Sequence, residues 1–74
     1  NSPTLIINQG NLLTLTDIPS NAVITIADML GRQVLSTASL NNTANINVST
    51  LKTGIYTVSL ITKREMQTHK LLIR

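Results

Sequence analysis

The sequence predicts an all-β chain, a small antiparallel β-sandwich of about seven short strands. Three observations carry that expectation. Apolar residues recur with a period of two almost throughout, as they do in strands with one buried face. Turn-forming residues interrupt this alternation roughly every 8–12 residues, the rhythm of a sandwich or small barrel. The β-branched residues Ile, Val and Thr number 24 of 74, and such side chains suit a pleated surface.

Taken in order, Leu5-Ile6-Ile7 is a short apolar run closed by the turn signal Asn8-Gln9-Gly10-Asn11. Leu13 and Leu15 alternate with Thr14 and Thr16 until Asp17-Ile18-Pro19-Ser20-Asn21 breaks the pattern. Across Ala22–Asp28, Ile24 and Ile26 face one way and Val23, Thr25 and Ala27 the other. Leu30-Gly31-Arg32 is a tight connection in which Gly31 can take a positive φ. Arg32–Thr37 is the return strand, with Val34 turned inward. A helix over Ile24–Leu35 is the one competing reading, and Gly31 among β-branched neighbours weakens it.

Asn41-Asn42 marks the next loop, after which Ile46 and Val48 alternate with Asn45, Asn47 and Ser49. Ser49–Gly54 connects this strand to the longest one, where Tyr56, Val58 and Leu60 alternate with Thr57, Ser59 and Ile61. Lys63-Arg64-Glu65-Met66 is a polar hairpin tip, and Thr68–Arg74 is the last strand. There Leu71 and Ile73 share one face, and Lys70, Leu72 and Arg74 the other. The 74 residues suffice for a single domain, residues 1–4 reading as the end of a linker from an upstream domain. No internal repeat or low-complexity segment interrupts it.

Composition excludes several function classes. With 12% charged residues and 24 Ile, Val and Leu, the chain is no disordered tail. No apolar run approaches the ~20 residues of a membrane-spanning helix. The absence of Cys excludes disulfides and thiolate metal sites. The chain opens Asn1-Ser2-Pro3, with neither an initiator Met nor a signal peptide, as a piece cut from a longer precursor would. The net charge of +3 is uneven: residues 1–37 carry −1 and residues 38–74 carry +4.

Catalytic chemistry finds few residues to use. His69 is the single His and reads as a solvent-facing strand residue without acidic partners. Asp17 and Asp28 read as turn-makers rather than a paired-carboxylate site. Gly10, Gly31 and Gly54 never cluster into a phosphate-binding loop. Tyr56 is the only aromatic, so the basic half has no stacking platform for nucleic acid, and the cations read as edge protection. Asn41-Asn42-Thr43 and Asn47-Val48-Ser49 match the N-glycan acceptor pattern, which arises easily in an Asn- and Thr-rich chain. Neither metal nor cofactor is expected.

Two spaced elements are more specific. Ile24-x-Ile26-x-Asp28-Met29-Leu30-Gly31-Arg32-x-Val34 is followed by Leu51-x-x-Gly54-x-Tyr56-x-Val58, and Lys70-Leu71-Leu72-Ile73-Arg74 comes last. Physically, Gly31 makes the hairpin turn, Asp28 accepts backbone hydrogens there, and Arg32 starts the return strand with its charge in solvent. Leu51 anchors a connection by burial, Gly54 lets the chain swing into the next strand, and Tyr56 seats its ring at the core edge with its hydroxyl on backbone or water. By analogy this last feature is the tyrosine corner of immunoglobulin-like sandwiches.

Together these elements, over residues 12–74, resemble the type A C-terminal sorting domain of proteins exported by the type IX secretion system of Bacteroidetes. The chain departs from that pattern in two places. Asn1-Ser2-Pro3 stands where an aromatic-Pro-Asn-Pro segment is usual, and Ala27 stands where Tyr is frequent. The resemblance implies a non-enzymatic address label on a larger cargo, carried through the periplasm to the outer-membrane surface or the medium. It implies as partners an outer-membrane shuttle barrel and a sortase-like Cys peptidase, and neither nucleic acid nor a membrane span. Lys70, Leu71, Leu72, Ile73 and Arg74 are the expected recognition residues, reached by β-augmentation if the last strand lies at a sheet edge. The other reading is an immunoglobulin-like structural or adhesive module of a cell-surface protein.

Overall fold

Alternation of inward and outward side chains builds most strands of the core in the computed structural model, which describes residues 3–8 and 11–74. These residues form seven strands and no helix: β1 (Thr4–Asn8), β2 (Leu12–Thr16), β3 (Val23–Ala27), β4 (Gln33–Ala38), β5 (Ala44–Asn47), β6 (Gly54–Ile61) and β7 (Met66–Ile73). They assemble into a three-stranded sheet, β1-β2-β5, and a four-stranded sheet, β4-β3-β6-β7. All pairings are antiparallel. β1–β2, β3–β4 and β6–β7 are consecutive pairs, while β2–β5 and β3–β6 tie distant segments together. The arrangement is the all-β sandwich expected, with the helical alternative excluded across Ile24–Leu35.

The two sheets meet over one apolar core. Leu13 and Leu15 come from β2, Ile24 and Ile26 from β3, Ile46 and Val48 from β5 and its end, and Tyr56, Val58 and Leu60 from β6. Leu71 and Ile73 of β7 complete it, and Leu5, Ile7, Leu35, Ala44 and Leu51 pack against its rim. Burial of each such aliphatic side chain stabilises by about 1.5–3 kcal/mol relative to exposure. Since a chain of this size buries only about 60–65% of its unfolded surface, this cluster is the main apolar core among the described residues.

Turns explain the abundance of Asn. Asn11, Asp17 and Asn21 all have φ between 57° and 60°, a conformation Asn and Asp adopt more readily than other non-glycine residues. The turn expected at Asn8–Asn11 falls partly outside the described residues, as do Asn1 and Ser2 of the expected linker; Thr4 already belongs to β1. Ser39 is 2% exposed and was not singled out by pattern. Its hydroxyl donates to the Pro19 carbonyl at 3.1 Å and accepts from the Ala22 N–H at 3.1 Å, which lashes the end of β4 to the β2–β3 loop.

Several expectations are corrected. Val34 does not turn inward: it is 37% exposed, and Leu35 faces the core instead. A β-bulge is the cause. Ile26 pairs with Leu35 and Ala27 with Gln33, so Val34 is the extra residue and the alternation slips by one. The return strand starts at Gln33 rather than Arg32, and the hairpin loop is Met29-Leu30-Gly31. β7 begins at Met66, two residues earlier than expected, and equals β6 at eight residues. His69 is not solvent-facing. It shares the inner face with Leu71 and Ile73 and pairs with the fully buried Val58.

Candidate functional site

The β3–β4 turn is braced by one carboxylate. Asp28 Oδ1 accepts from the Leu30 N–H at 2.9 Å and the Arg32 N–H at 3.0 Å, and Oδ2 accepts from Arg32 Nε at 2.9 Å. Within the main chain, Gly31 N–H donates to the Asp28 carbonyl at 3.0 Å and Asp28 N–H to the Arg32 carbonyl at 2.9 Å. Gly31 takes φ 83°, the left-handed close of a three-residue hairpin loop. The Arg32 backbone N–H, with lesser help from its side chain and the Leu30 N–H, outweighs desolvation and holds the Asp28 carboxyl below its ordinary value of 3.8. Arg32 is thus exposed as expected, and it is also ion-paired.

A second brace sits between β5 and β6. Gly54 opens β6, and two residues on the Tyr56 ring is 8% exposed at the core edge. The Tyr56 hydroxyl donates to the Lys52 carbonyl at 2.7 Å, so its one aromatic locks the connection as a tyrosine corner. Such a bond contributes about 1 kcal/mol net. Leu51, half-buried against the core, holds the other end of the same connection. Asp28, Gly31, Arg32, Leu51, Gly54 and Tyr56 therefore sit at two separate corners rather than in one cleft, and each has a local structural task. The two glycan-type motifs are turns as well: Asn41 Oδ1 accepts from Thr43 N–H at 3.3 Å and Asn47 Oδ1 from Ser49 N–H at 2.9 Å.

The C-terminal segment is different, because β7 is an edge strand with only β6 beside it. Its eight residues pair in unbroken register from Gly54–Ile73 to Ile61–Met66, and among the described residues no strand pairs with its opposite side. Edge strands this long and regular are ordinarily blunted by bulges, charges or cover. β4, the other edge of this sheet, is bulged at Val34; β7 carries a cation, Lys70, and no bulge. Of the five expected recognition residues, Leu71 and Ile73 are buried in the core, whereas Lys70, Leu72 and Arg74 point outward. A shallow groove runs along this edge between Leu5 and Ile7 of β1 and Lys70, Leu72 and Arg74. The geometry offers main-chain hydrogen-bonding groups, apolar side-chain seats and two cations along one line.

Among the described residues no three of His, Cys, Asp and Glu converge on a metal position, and no helix is long and apolar enough to cross a membrane. His69 is half-buried at the core rim, and its buried Nε2 has no hydrogen-bond partner. Counting back from Ile73 and Leu71 by twos was the available signal for its inward position.

Comparison with protein-family models finds one described as the secretion system C-terminal sorting domain, matched by residues 6–74. Comparison with curated proteins finds no match.

Proposed function

The chain belongs to the secretion system C-terminal sorting domain family, and from that premise we propose that the free edge of β7, at Lys70–Arg74, is the part of the signal that the export machinery reads. Members of this family are the sorting signals of type IX secretion, and the match favours that reading over an adhesive module. The domain is an address carried with a cargo, and its destination is the cell surface or the extracellular space.

The observation that supports the site is the long, unbulged edge of β7 with Lys70 and Arg74 outward beside the β1 groove. A receptor strand added there would satisfy the unpaired main-chain groups, with the cations setting its charge preference. The reader of the edge is an outer-membrane shuttle barrel, met after transit through the periplasm, and a sortase-like Cys peptidase acts once the domain has crossed. The domain itself is non-catalytic. Its task is to stay folded and present a surface, to which Lys70 and Arg74 contribute charge rather than chemistry.

The test is a fluorescent reporter fused to this domain and scored at the cell surface, in strains with and without the secretion system. Surface signal should require the system and should be lost when Lys70–Arg74 are deleted. That deletion also removes Leu71 and Ile73 from the core, so the paired substitution Lys70→Glu with Arg74→Glu is measured beside it. Both side chains are exposed, and the variant should melt like the parent yet be retained. Full surface delivery of the charge-reversed fusion would refute the assignment of recognition to this edge.

A further inference from the structure

Met29 and Leu30, at the tip of the β3–β4 turn, are 78% and 79% exposed. Reversing the chain does not call for them, since turn tips ordinarily take small or polar residues. Yet the turn beneath is held by five hydrogen bonds, two within the main chain and three to the Asp28 carboxylate. A braced turn presents its side chains with little entropy left to lose on association.

The turn is continuous with the outer face of the β3-β6-β7 sheet. Met29, Asp28, Ile55, Thr57 and Lys70 border one depression. The register sets Ile55 opposite Leu72 and Thr57 opposite Lys70. Ile55 is 46% and Leu72 50% exposed; Met29 and Ile55 meet at the depression, with Leu30 next along the turn and Leu72 beside Ile55 on the sheet. Scattered exposed aliphatics need no explanation, but a contiguous group does.

We propose that this patch, Met29 and Leu30 on the turn with Ile55 and Leu72 on the sheet, is a second docking surface, for a protein whose complementary pocket is apolar and rimmed by carboxylates. Charge selects that occupant. Asp28 is neutralised by Arg32, which leaves the exposed Lys70 as the net charge bordering the depression. The chain as a whole carries +3. A second copy docking symmetrically would set the same basic patch against itself. The surface shares Lys70 and Leu72 with the β7 segment assigned above, but it lies on the sheet face and the turn and needs neither Arg74 nor strand addition.

The experiment places a photo-reactive p-benzoylphenylalanine at position 29 of the reporter fusion, illuminated in secreting cells, with the same probe at Thr50 as control. A discrete protein adduct is expected from position 29 and not from position 50, and Thr57→Glu, which cancels the Lys70 charge beside it, should abolish it. In parallel, Met29→Ser with Leu30→Ser should lower surface delivery about tenfold or more, the loss expected of two anchoring contacts, with an unchanged melting curve. Absence of a position-specific adduct, or full delivery of the double variant, overturns the proposal. So does a concentration-dependent dimer, or binding to anionic phosphatidylglycerol vesicles, that the double variant loses. Should the parent fusion fail to be exported, the sorting reading falls, while the adduct and its loss in Thr57→Glu still decide this one.

Discussion

Asp28 directs both carboxylate oxygens back into its own turn, and the three hydrogen bonds it accepts favour the charged form. The consequence for stability has a definite sign. A carboxyl whose pKa is depressed by folding stabilises the fold at pH above its unfolded value, and that contribution is lost as pH falls through the native value. Here the window lies below 3.8. Asp28→Asn, which keeps one acceptor but no charge, should therefore be less stable than the parent at neutral pH, by a margin that closes as pH falls below 3.8. Urea midpoints across that range check it, and a constant margin would show that the charge is irrelevant. The carboxylate's role as a turn-maker was legible from Asp followed by Gly three residues on. The ion pair with Arg32 was not, because it depends on the guanidinium folding back rather than on spacing.

Among the elements, β4 shows how one inserted residue defeats a parity argument. Counting by twos from the turn puts Val34 inside, yet the bulge at Val34 hands the inner face to Leu35. Leu35→Ala should then cost about 2 kcal/mol, while Val34→Ala stays within about 1 kcal/mol, as measured by denaturant unfolding. The reverse order would mean that the bulge is absent in solution. The bulge also twists this edge away from partners, which is one device for keeping an exposed strand from aggregating. β7 has no such device beyond Lys70, and the contrast between the two edges of a single sheet is why recognition is assigned there. Its alternation was readable in Leu71 and Ile73 against Lys70 and Leu72. Extending the same count to His69 gives its inward position, which the lone polar residue type had obscured.

At the scale of the molecule, one cluster of side chains joins both sheets, and nothing else among the described residues holds them together but the loops and their hydrogen bonds. A chain of 74 residues has a total stability of about 4–11 kcal/mol. Leu60, 1% exposed near the C-terminal end of β6, should cost about 2–5 kcal/mol when cut to Ala, enough to leave a large unfolded fraction by circular dichroism at growth temperature. An equal substitution at Leu72, half-exposed on the outer face, should leave the fold intact. An export defect in the first variant would reflect lost folding, and in the second a lost surface.

Fold class, strand count and the inner faces of β2, β3, β5, β6 and most of β7 follow from the sequence, because period-two alternation and turn residues are local properties that each segment expresses by itself. So did the family, through two motifs whose residues cap one turn and lock one corner. Which strands lie at an edge was decided only in three dimensions, since sheet order depends on β2 meeting β5 and β3 meeting β6 across long stretches of chain. The same holds for the patch formed by Met29, Leu30, Ile55 and Leu72. Its members come from three separate segments, and only the packing of β3 beside β6, and of β6 beside β7, brings them onto one surface.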